Sequence, residues 1–154
     1  MAFEDSLTHL PNRALMLAHL DKKITQLQAK DELSLLIVMD LDHFKTINDV
    51  LGHAVGDAIL CCIGQRLTEH CQEEFFIARH GGDEFTLIGR TPHIYHGQVE
   101  SVLGKLQNII KQPLQIDEHR IDIGASFGVC QFPQDNQTAI DVLRHADLAL
   151  NNAK

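Results

Sequence analysis

The 154-residue sequence predicts an α+β fold, in which helices cover an antiparallel sheet. Three observations support this prediction. Apolar residues recur at helical spacing in four separate segments, the first of which begins after Asn12. A short, continuously apolar run from Leu33 to Met39 is typical of a central strand. Two more apolar runs flank Gly81-Gly82, as expected for a β-hairpin.

The first third of the chain is predicted to run helix, strand, helix. Asn12 has the side chain of an N-cap for a helix that continues to about Ala29. The strand at residues 33–39 follows, and residues 42–52 connect it to the next helix through a helical turn at residues 44–48. The second helix has its apolar face at Val55, Ile59, Cys62, Ile63 and Leu67.

The middle of the chain is predicted to form the hairpin and a third helix. Residues 75–78 and 85–88 pair across Gly81-Gly82, since glycine accepts positive φ angles. A polar break at residues 90–92 follows. The third helix ends before Pro113 and has its apolar face at Val99, Leu103, Leu106 and Ile110.

The C-terminal segment is predicted to form a second hairpin and a fourth helix. Residues 114–116 and 120–130 pair as strands around a turn at residues 117–119. A second turn, at residues 133–136, precedes the last helix, and Thr138 has the side chain to cap it. The apolar face of that helix is formed by Ile140, Leu143 and Leu150.

Composition indicates one globular domain, with 44% hydrophobic and 22% charged residues. The net charge of −8 argues against a nucleic-acid-binding surface, which needs a basic patch. The four cysteines have no CxxC spacing, so we expect reduced thiols in a cytoplasmic protein. No apolar run approaches the roughly 18 residues of a membrane-spanning helix. We therefore expect neither a signal peptide nor membrane contact.

Acidic side chains follow two of the predicted strands. Asp40 and Asp42 come directly after the apolar run at residues 33–39, and Asp83 and Glu84 come directly after the glycine turn. An unpaired carboxylate resists burial, so these acids are either solvated or hold a cation. If both strands end at the same edge of the sheet, their oxygens suit a hard divalent cation. An ordinary surface hairpin with acidic turn residues is the alternative.

The sequences GGDEF at residues 81–85 and DLDHFKTINDVLGHAVGD at residues 40–57 resemble the GGDEF family of diguanylate cyclases. The resemblance extends from residue 5 to residue 150 and includes four motifs in the family's order. It implies a ferredoxin-like palm of the nucleotide-cyclase type, with a mostly antiparallel sheet of about five strands flanked by helices, plus a C-terminal hairpin and helix. It also implies that residues 1–154 are a single GGDEF domain of a longer multidomain protein.

This resemblance implies a reaction in which the 3′-hydroxyl of one GTP attacks the α-phosphate of another and expels pyrophosphate, which leads to cyclic di-GMP. Asp40, the carbonyl of Leu41, and Asp83 are implied to hold Mg²⁺ or Mn²⁺, two ions per active site. Such ions acidify the hydroxyl and neutralise charge on the phosphate oxygens. Asp83 is also a candidate proton acceptor. Glu84 is either a helper at the metal site or a hydrogen-bonding partner.

Substrate contacts are implied for several further residues. Lys45 would reach the phosphates, although an exposed lysine at a helix start is the alternative. Asn48 and Asp57 match positions that read the guanine edge, where a carboxylate accepts from N1–H and N2–H₂; helix caps are the alternative. His53 is placed near the substrate, or else packs on Asp49. The other substrate-binding residues that the resemblance implies are Phe44, Gly81, Gly82 and Lys154.

Several positions depart from the family pattern. The Arg-x-x-Asp motif of product inhibition would fall on residues 72–75, and both of its functional positions are lost. His80 and Asn151 each replace a common tyrosine, and His9 replaces a common glycine. Lys154 matches the first of two basic phosphate-contacting positions, and the second would follow four residues later.

These patterns leave three functions to be distinguished. The first is an active cyclase, which needs a homodimer because one site holds one GTP, and which is fused to a sensory or phosphodiesterase domain. The second is a catalytically inactive GTP-binding domain that regulates a fused phosphodiesterase or another partner. The third is a nucleotidyl transferase with a different base preference, against which Asn48 and Asp57 argue.

Overall fold

The computed structural model describes residues 3–90, 96–135 and 137–154, and it confirms the α+β architecture. The helices in these ranges are α1 (Arg13–Lys30), α2 (Phe44–Leu51), α3 (His53–Cys71), α4 (His96–Lys111) and α5 (Ala139–Ala153). The strands are β1 (Ser34–Leu41), β2 (Phe75–Gly81), β3 (Glu84–Gly89), β4 (Leu114–Ile116), β5 (His119–Ile121) and β6 (Ala125–Phe132). None of the described helices has the length and apolar character required to cross a membrane.

The central sheet has the strand order β2-β3-β1-β6, and every neighbouring pair is antiparallel. The sequence predicted about five strands for this sheet, and the described residues place four in it. Asp40, near the end of β1, is the register partner of Glu84 in β3 and of Ser126 in β6. The two acidic motifs therefore meet at one end of the sheet, as the sequence predicted.

Helices cover both faces of this sheet. Ile37 and Met39 belong to the core formed with α3 and α4. Leu36 and Val38 belong to the core formed with α1 and α5. This alternation follows from the period of two in a strand. Every residue of β1 is buried, which explains why its sequence is apolar at every position except Ser34 and Asp40.

Local signals in the sequence place several boundaries. The side chain of Asn12 accepts a backbone hydrogen bond in the first turn of α1, at 3.0 Å. Thr138 and Asp141 form a reciprocal capping box at the start of α5. Gly81 and Gly82 have φ angles of 139° and 52°, which glycine adopts with the least strain. These predictions are confirmed. Residues 91 and 92 of the predicted break, and residue 136 of the predicted turn, lie outside the described residues.

Two predictions about the C-terminal third are wrong. The strand predicted at residues 120–130 is interrupted at residues 122–124, so that β5 pairs with β4 in a separate sheet and β6 joins the central one. The interruption brings the Gly124 carbonyl to the backbone N–H of Asp42, at 2.9 Å. The apolar pattern continues through this break and therefore conceals it. Ile140, which was predicted on the buried face of α5, is 52% exposed.

Candidate functional site

A pocket of about 410 Å³ opens where β1 ends beside the β2–β3 turn. Its lining comes from the end of β1, the start of α2, the glycine turn, β6 and the residue after α5. The lining residues are Asp40, Leu41, Asp42, His43, Phe44, Lys45, Asp83, Ser126 and Lys154. Six of these nine were predicted as site residues from the sequence. A larger cavity of about 730 Å³ beside α4 contains none of the predicted residues.

Asp40 and Asp83 form a close carboxyl pair in this pocket. Asp40 is 6% exposed, and its Oδ1 atom has no hydrogen-bond partner among the described residues. Its Oδ2 atom forms an ion pair with the ammonium group of Lys154. Three effects together raise the pKa of Asp83 to about 6: burial of its side chain, a hydrogen bond with the side chain of Asp40, and the negative charge of Asp40. A buried carboxylate oxygen without a partner is costly, so this environment favours an additional cation.

The donor set of this pair fits Mg²⁺ or Mn²⁺. Hard divalent cations take oxygen ligands, and Mg²⁺ is usually held by one or two carboxylates together with substrate phosphates. Across the described ranges, no group of three or more His, Cys, Asp or Glu side chains is arranged to hold a metal ion. Of the three carboxylates that line this pocket, those of Asp40 and Asp83, with the adjacent Leu41 backbone, are the candidate cation ligands, whereas Asp42 Oδ1 accepts a hydrogen bond from Ser126.

Glu84 lies next to the carboxyl pair but is not one of the pocket-lining residues. It is the register partner of Asp40 across the β1–β3 ladder. Burial raises the pKa of Glu84, and the charges of Asp147 and Asp40 raise it further, whereas Lys154 opposes this shift. The predicted role of Glu84 as a catalytic helper stays a prediction.

Asn48 and Asp57 lie on two consecutive helices. The Oδ1 atom of Asn48 is buried and has no partner among the described residues. It faces Gly56, where an added Cβ would lie 1.6 Å from it. Neither residue caps a helix, because α2 and α3 begin after His43 and Gly52. The cap alternative is therefore wrong, and Asp57 is exposed rather than buried.

The remaining predicted residues differ in whether they line the pocket. Lys45 is exposed at the start of α2 and lines the pocket, as does the buried ring of Phe44. His53 is the exposed first residue of α3. Gly81 and Gly82 are exposed at the turn, outside the pocket lining, and a Cβ added to either would meet no atom within 4 Å.

Asp42, His43 and Ser126 line the pocket but are not among the site residues that the family resemblance implied. The Ser126 hydroxyl donates to Asp42 Oδ1 at 2.7 Å. With the bond from the Asp42 backbone N–H to Gly124, this contact fixes the loop that leads from β1 into α2. His43 in that loop has a φ angle of 58°. The pairing of β6 with β1 brings Ser126 to the pocket, and the sequence gives no local signal of that register.

Comparisons with known sequences agree on one family. A family model described as "Diguanylate cyclase, GGDEF domain" matches residues 2–154. The whole chain aligns at 38% identity with 22% of the bifunctional diguanylate cyclase/cyclic di-GMP phosphodiesterase MucR of Pseudomonas aeruginosa. It aligns at 31% identity with 19% of the cyclic di-GMP phosphodiesterase NbdA of the same organism. The chain thus spans about a fifth of the length of these relatives.

Comparisons with solved structures give the same answer. A sensory box/GGDEF family protein from Caulobacter crescentus superposes with a TM-score of 0.90 at 35% identity, over 98% of this chain and 97% of that one. The GGDEF domain of DgcB from Caulobacter crescentus, solved in complex with c-di-GMP, superposes with a TM-score of 0.86 at 28% identity, over 99% of this chain and 87% of that one. The chain belongs to the GGDEF domain family of diguanylate cyclases.

Proposed function

We propose that this domain is an active diguanylate cyclase, which condenses two GTP molecules into cyclic di-GMP with release of pyrophosphate. The observation that carries the proposal is the Asp40–Asp83 carboxyl pair, which shares its pocket with the ammonium groups of Lys45 and Lys154. Carboxylates suited to cations and ammonium groups suited to phosphates are together complementary to a metal–triphosphate substrate.

Asp40, the Leu41 carbonyl and Asp83 would hold Mg²⁺ or Mn²⁺, with two ions in each active site. Such ions, when bound, acidify the attacking hydroxyl and neutralise the charge on the phosphate oxygens. Asp83 is also a candidate acceptor for the proton of the attacking hydroxyl. Lys45 and Lys154 supply positive charge to the phosphates. The open space around Gly81 and Gly82 would let the substrate approach the backbone.

Asn48 and Asp57 would select guanine. The amide oxygen of Asn48 is buried against Gly56, so Asn48 would contact guanine O6 or N7 through its amide nitrogen. The Asp57 carboxylate would accept from N1–H and N2–H₂, which adenine does not present in the same pattern. Because Asp57 is exposed, its discrimination between guanine and adenine would depend on the bound nucleotide shielding it from water. Phe44 and His53 are proposed to lie along the same nucleotide.

The reaction joins two nucleotides, whereas one domain offers one such pocket. Two domains must therefore face each other, and we propose a homodimer as the active species. The name of MucR combines a cyclase with a phosphodiesterase, which supports a fused sensory or phosphodiesterase domain in the full-length protein. Because GTP is the substrate, we place the domain in the cytoplasm.

A GTP-binding domain without activity is the second candidate, and the similarity to NbdA, named a phosphodiesterase, favours it. Incubation with GTP and Mg²⁺, followed by chromatography of the products, separates the two. Cyclic di-GMP with pyrophosphate supports the cyclase. Bound but unchanged GTP in a protein shown to be dimeric supports the regulatory domain. The absence of GTP binding would contradict both.

A further inference from the structure

Arg79 in β2 connects the N-terminal loop (residues 3–12) to the glycine turn that carries Asp83. Its Nη1 donates to Asp5 Oδ1 at 2.8 Å. Its Nη2 and Nε donate to the carbonyl oxygen of Gly82 at 2.7 and 3.1 Å. The side chains of Arg79 and Asp5 are only 13% and 15% exposed. A planar guanidinium that is held at both ends in this way has a single orientation.

The N-terminal loop is itself organised around Asp5. Oδ2 of Asp5 accepts hydrogen bonds from the backbone and the hydroxyl of Thr8, at 2.8 and 2.7 Å. The backbone N–H of Asp5 donates to Leu10 at 2.7 Å, and that of Arg79 donates to Pro11 at 3.0 Å. Burial opposes the ionisation of Asp5, but the bonds from Thr8 and Arg79 hold its pKa below the usual value. Asp5 is therefore a fixed anion facing Arg79.

The glycine turn has little packing of its own. Gly81 and Gly82 are exposed, and a Cβ added at either position would meet no neighbouring atom. Glycine loses more conformational freedom on ordering than any other residue, so such a turn needs external contacts to fix it. Two such contacts are the Arg79 bonds to Gly82 and the bond from the Leu41 backbone N–H to the Asp83 carbonyl, at 3.2 Å.

We propose that Arg79, anchored by Asp5, is a positioning residue that holds the glycine turn so that the Asp83 carboxylate stays beside Asp40 in the arrangement required by a divalent cation. This inference rests on the proposed metal-dependent function of the same pocket. Arg79 does not touch the carboxyl pair through any bond described above. Its effect passes through the Gly82 carbonyl, which immediately precedes Asp83 in the chain.

The test measures Mn²⁺ affinity by electron paramagnetic resonance of the free ion, with a non-reactive GTP analogue present. The proteins compared are the parent, Arg79→Ala, Asp5→Asn and the double variant. Lys105→Ala is the matched control, because it removes an ion pair of similar length, 2.9 Å to Glu74, on another part of the surface. Circular dichroism and thermal unfolding establish which variants are folded.

We expect Arg79→Ala to weaken Mn²⁺ binding by roughly tenfold, the lower end of what the loss of an outer-shell partner costs. Loss of a positive charge alone would strengthen cation binding. The direction of the change in Mn²⁺ affinity therefore distinguishes a positioning effect from an electrostatic one. Asp5→Asn should act in the same direction. The double variant should be no worse than Arg79→Ala, because both changes break one connection. Lys105→Ala should match the parent.

A folded Arg79→Ala protein whose Mn²⁺ affinity lies within about twofold of the parent's, well below the expected loss, would overturn the proposal while leaving the proposed function intact. If Arg79→Ala does not fold, Arg79→Lys decides the matter by the same criterion, because it keeps the positive charge but lacks the planar fork that bonds Asp5 and Gly82 together. A parent protein that fails to bind Mn²⁺ would instead contradict the proposed function, and this inference with it.

Discussion

The ammonium group of Lys154, directly after α5, forms an ion pair with Asp40 Oδ2, near the end of β1. The lysine side chain is 47% exposed and the aspartate side chain 9%, so a flexible cation covers a buried anion. The hydrogen bond to Asp40 raises the pKa of Lys154. In the metal-free protein this ammonium occupies one face of a carboxylate that the proposed function assigns to a divalent cation.

Lys154→Ala should therefore have opposite effects on two ligands. Mn²⁺ binding without nucleotide should tighten, by up to about tenfold, because a competing cation is removed from Asp40. GTP binding should weaken, because the phosphates lose one positive contact. Titration calorimetry with each ligand measures both effects, and Lys111→Ala, on the exposed end of α4, controls for loss of charge. Weaker binding of Mn²⁺ in the nucleotide-free variant would contradict the competition.

Asp83→Asn should abolish product formation and cation-dependent GTP binding. The change keeps the shape of the side chain but removes one carboxylate of the Asp40–Asp83 pair, which is the proposed cation site in this pocket. Chromatography of the products and GTP titration with and without Mg²⁺ provide the readouts. Asp21→Asn, on an exposed face of α1, is the matched control. Normal turnover by Asp83→Asn would show that the metal-site assignment is wrong.

The raised pKa of Asp83 predicts how the stability of the metal-free protein depends on pH. Burial and the neighbouring Asp40 raise the pKa of Asp83 from 3.8 to about 6, so between these values the folded state binds more protons than the unfolded state. The contribution of Asp83 to the free energy of unfolding therefore falls as pH rises through this window, and stays low above it. For a fully desolvated group, a pKa shift of this size would change the free energy of unfolding by about 3 kcal/mol. Because solvent screens Asp83, we expect a change of about 1 kcal/mol.

Urea unfolding in EDTA at several pH values measures this effect in the parent and in Asp83→Asn. The variant should gain stability relative to the parent as the pH rises from 4 to 7, because it has no charge to desolvate at this position. Asp21→Asn should follow the parent. Parallel stability curves for the parent and Asp83→Asn would refute the raised pKa of Asp83.

Gly56 gives a test of the guanine site that removes no polar group from the protein. In Gly56→Ala the new Cβ would collide with Asn48 Oδ1, so the amide must move from its position. We expect a loss of GTP affinity together with about 1–3 kcal/mol of stability. Gly104→Ala is the matched control, since its Cβ would meet no atom within 4 Å and alanine favours the helix by up to about 1 kcal/mol. Unchanged GTP affinity in Gly56→Ala would remove Asn48 from the guanine site.

Local patterns were sufficient for the parts of the fold that depend on neighbouring residues. The apolar run of β1, the cap at Asn12 and the turn at Gly81-Gly82 are each encoded within a few residues. The acids at Asp40 and Asp83 were predicted to meet because each follows an apolar run, and a sheet brings the ends of its strands together.

The rest depends on contacts between residues distant in the chain. Ser126 reaches the pocket through the β1–β6 register, and Arg79 reaches Asp5 across 74 positions. Unless it is already known which strands pair, the sequence contains no signal for either contact. The break between β5 and β6 was missed for a related reason, since it is formed by Gly124 meeting Asp42 in the loop after β1 rather than by a change in the apolar pattern.

The last prediction concerns feedback by the product at residues 72–75, where the family's inhibitory motif has an arginine and an aspartate. Gln72 has no charge, and its backbone carbonyl accepts a bond from Arg90 Nε at 2.8 Å. Phe75 is 3% exposed and has no side-chain acceptor to offer a base. Glu73 adds a negative charge where an anionic ligand would lie, whereas the charge of Glu74 is paired with Lys105 at 2.9 Å. We therefore expect that cyclic di-GMP does not bind at this segment and slows turnover only by competition at the active site.

Calorimetry with cyclic di-GMP on an Asp57→Ala variant isolates this question. The change should weaken nucleotide binding at the active site by about 1–3 kcal/mol, so any tight binding that remains would come from another site. Product inhibition in the parent should be overcome by raising the GTP concentration, because the two ligands compete. Tight binding of cyclic di-GMP to Asp57→Ala that disappears when Gln72 or Glu73 is also changed would contradict the prediction. It would mean that this segment binds the product without the arginine, and that residues beyond it supply the positive charge that the phosphates require.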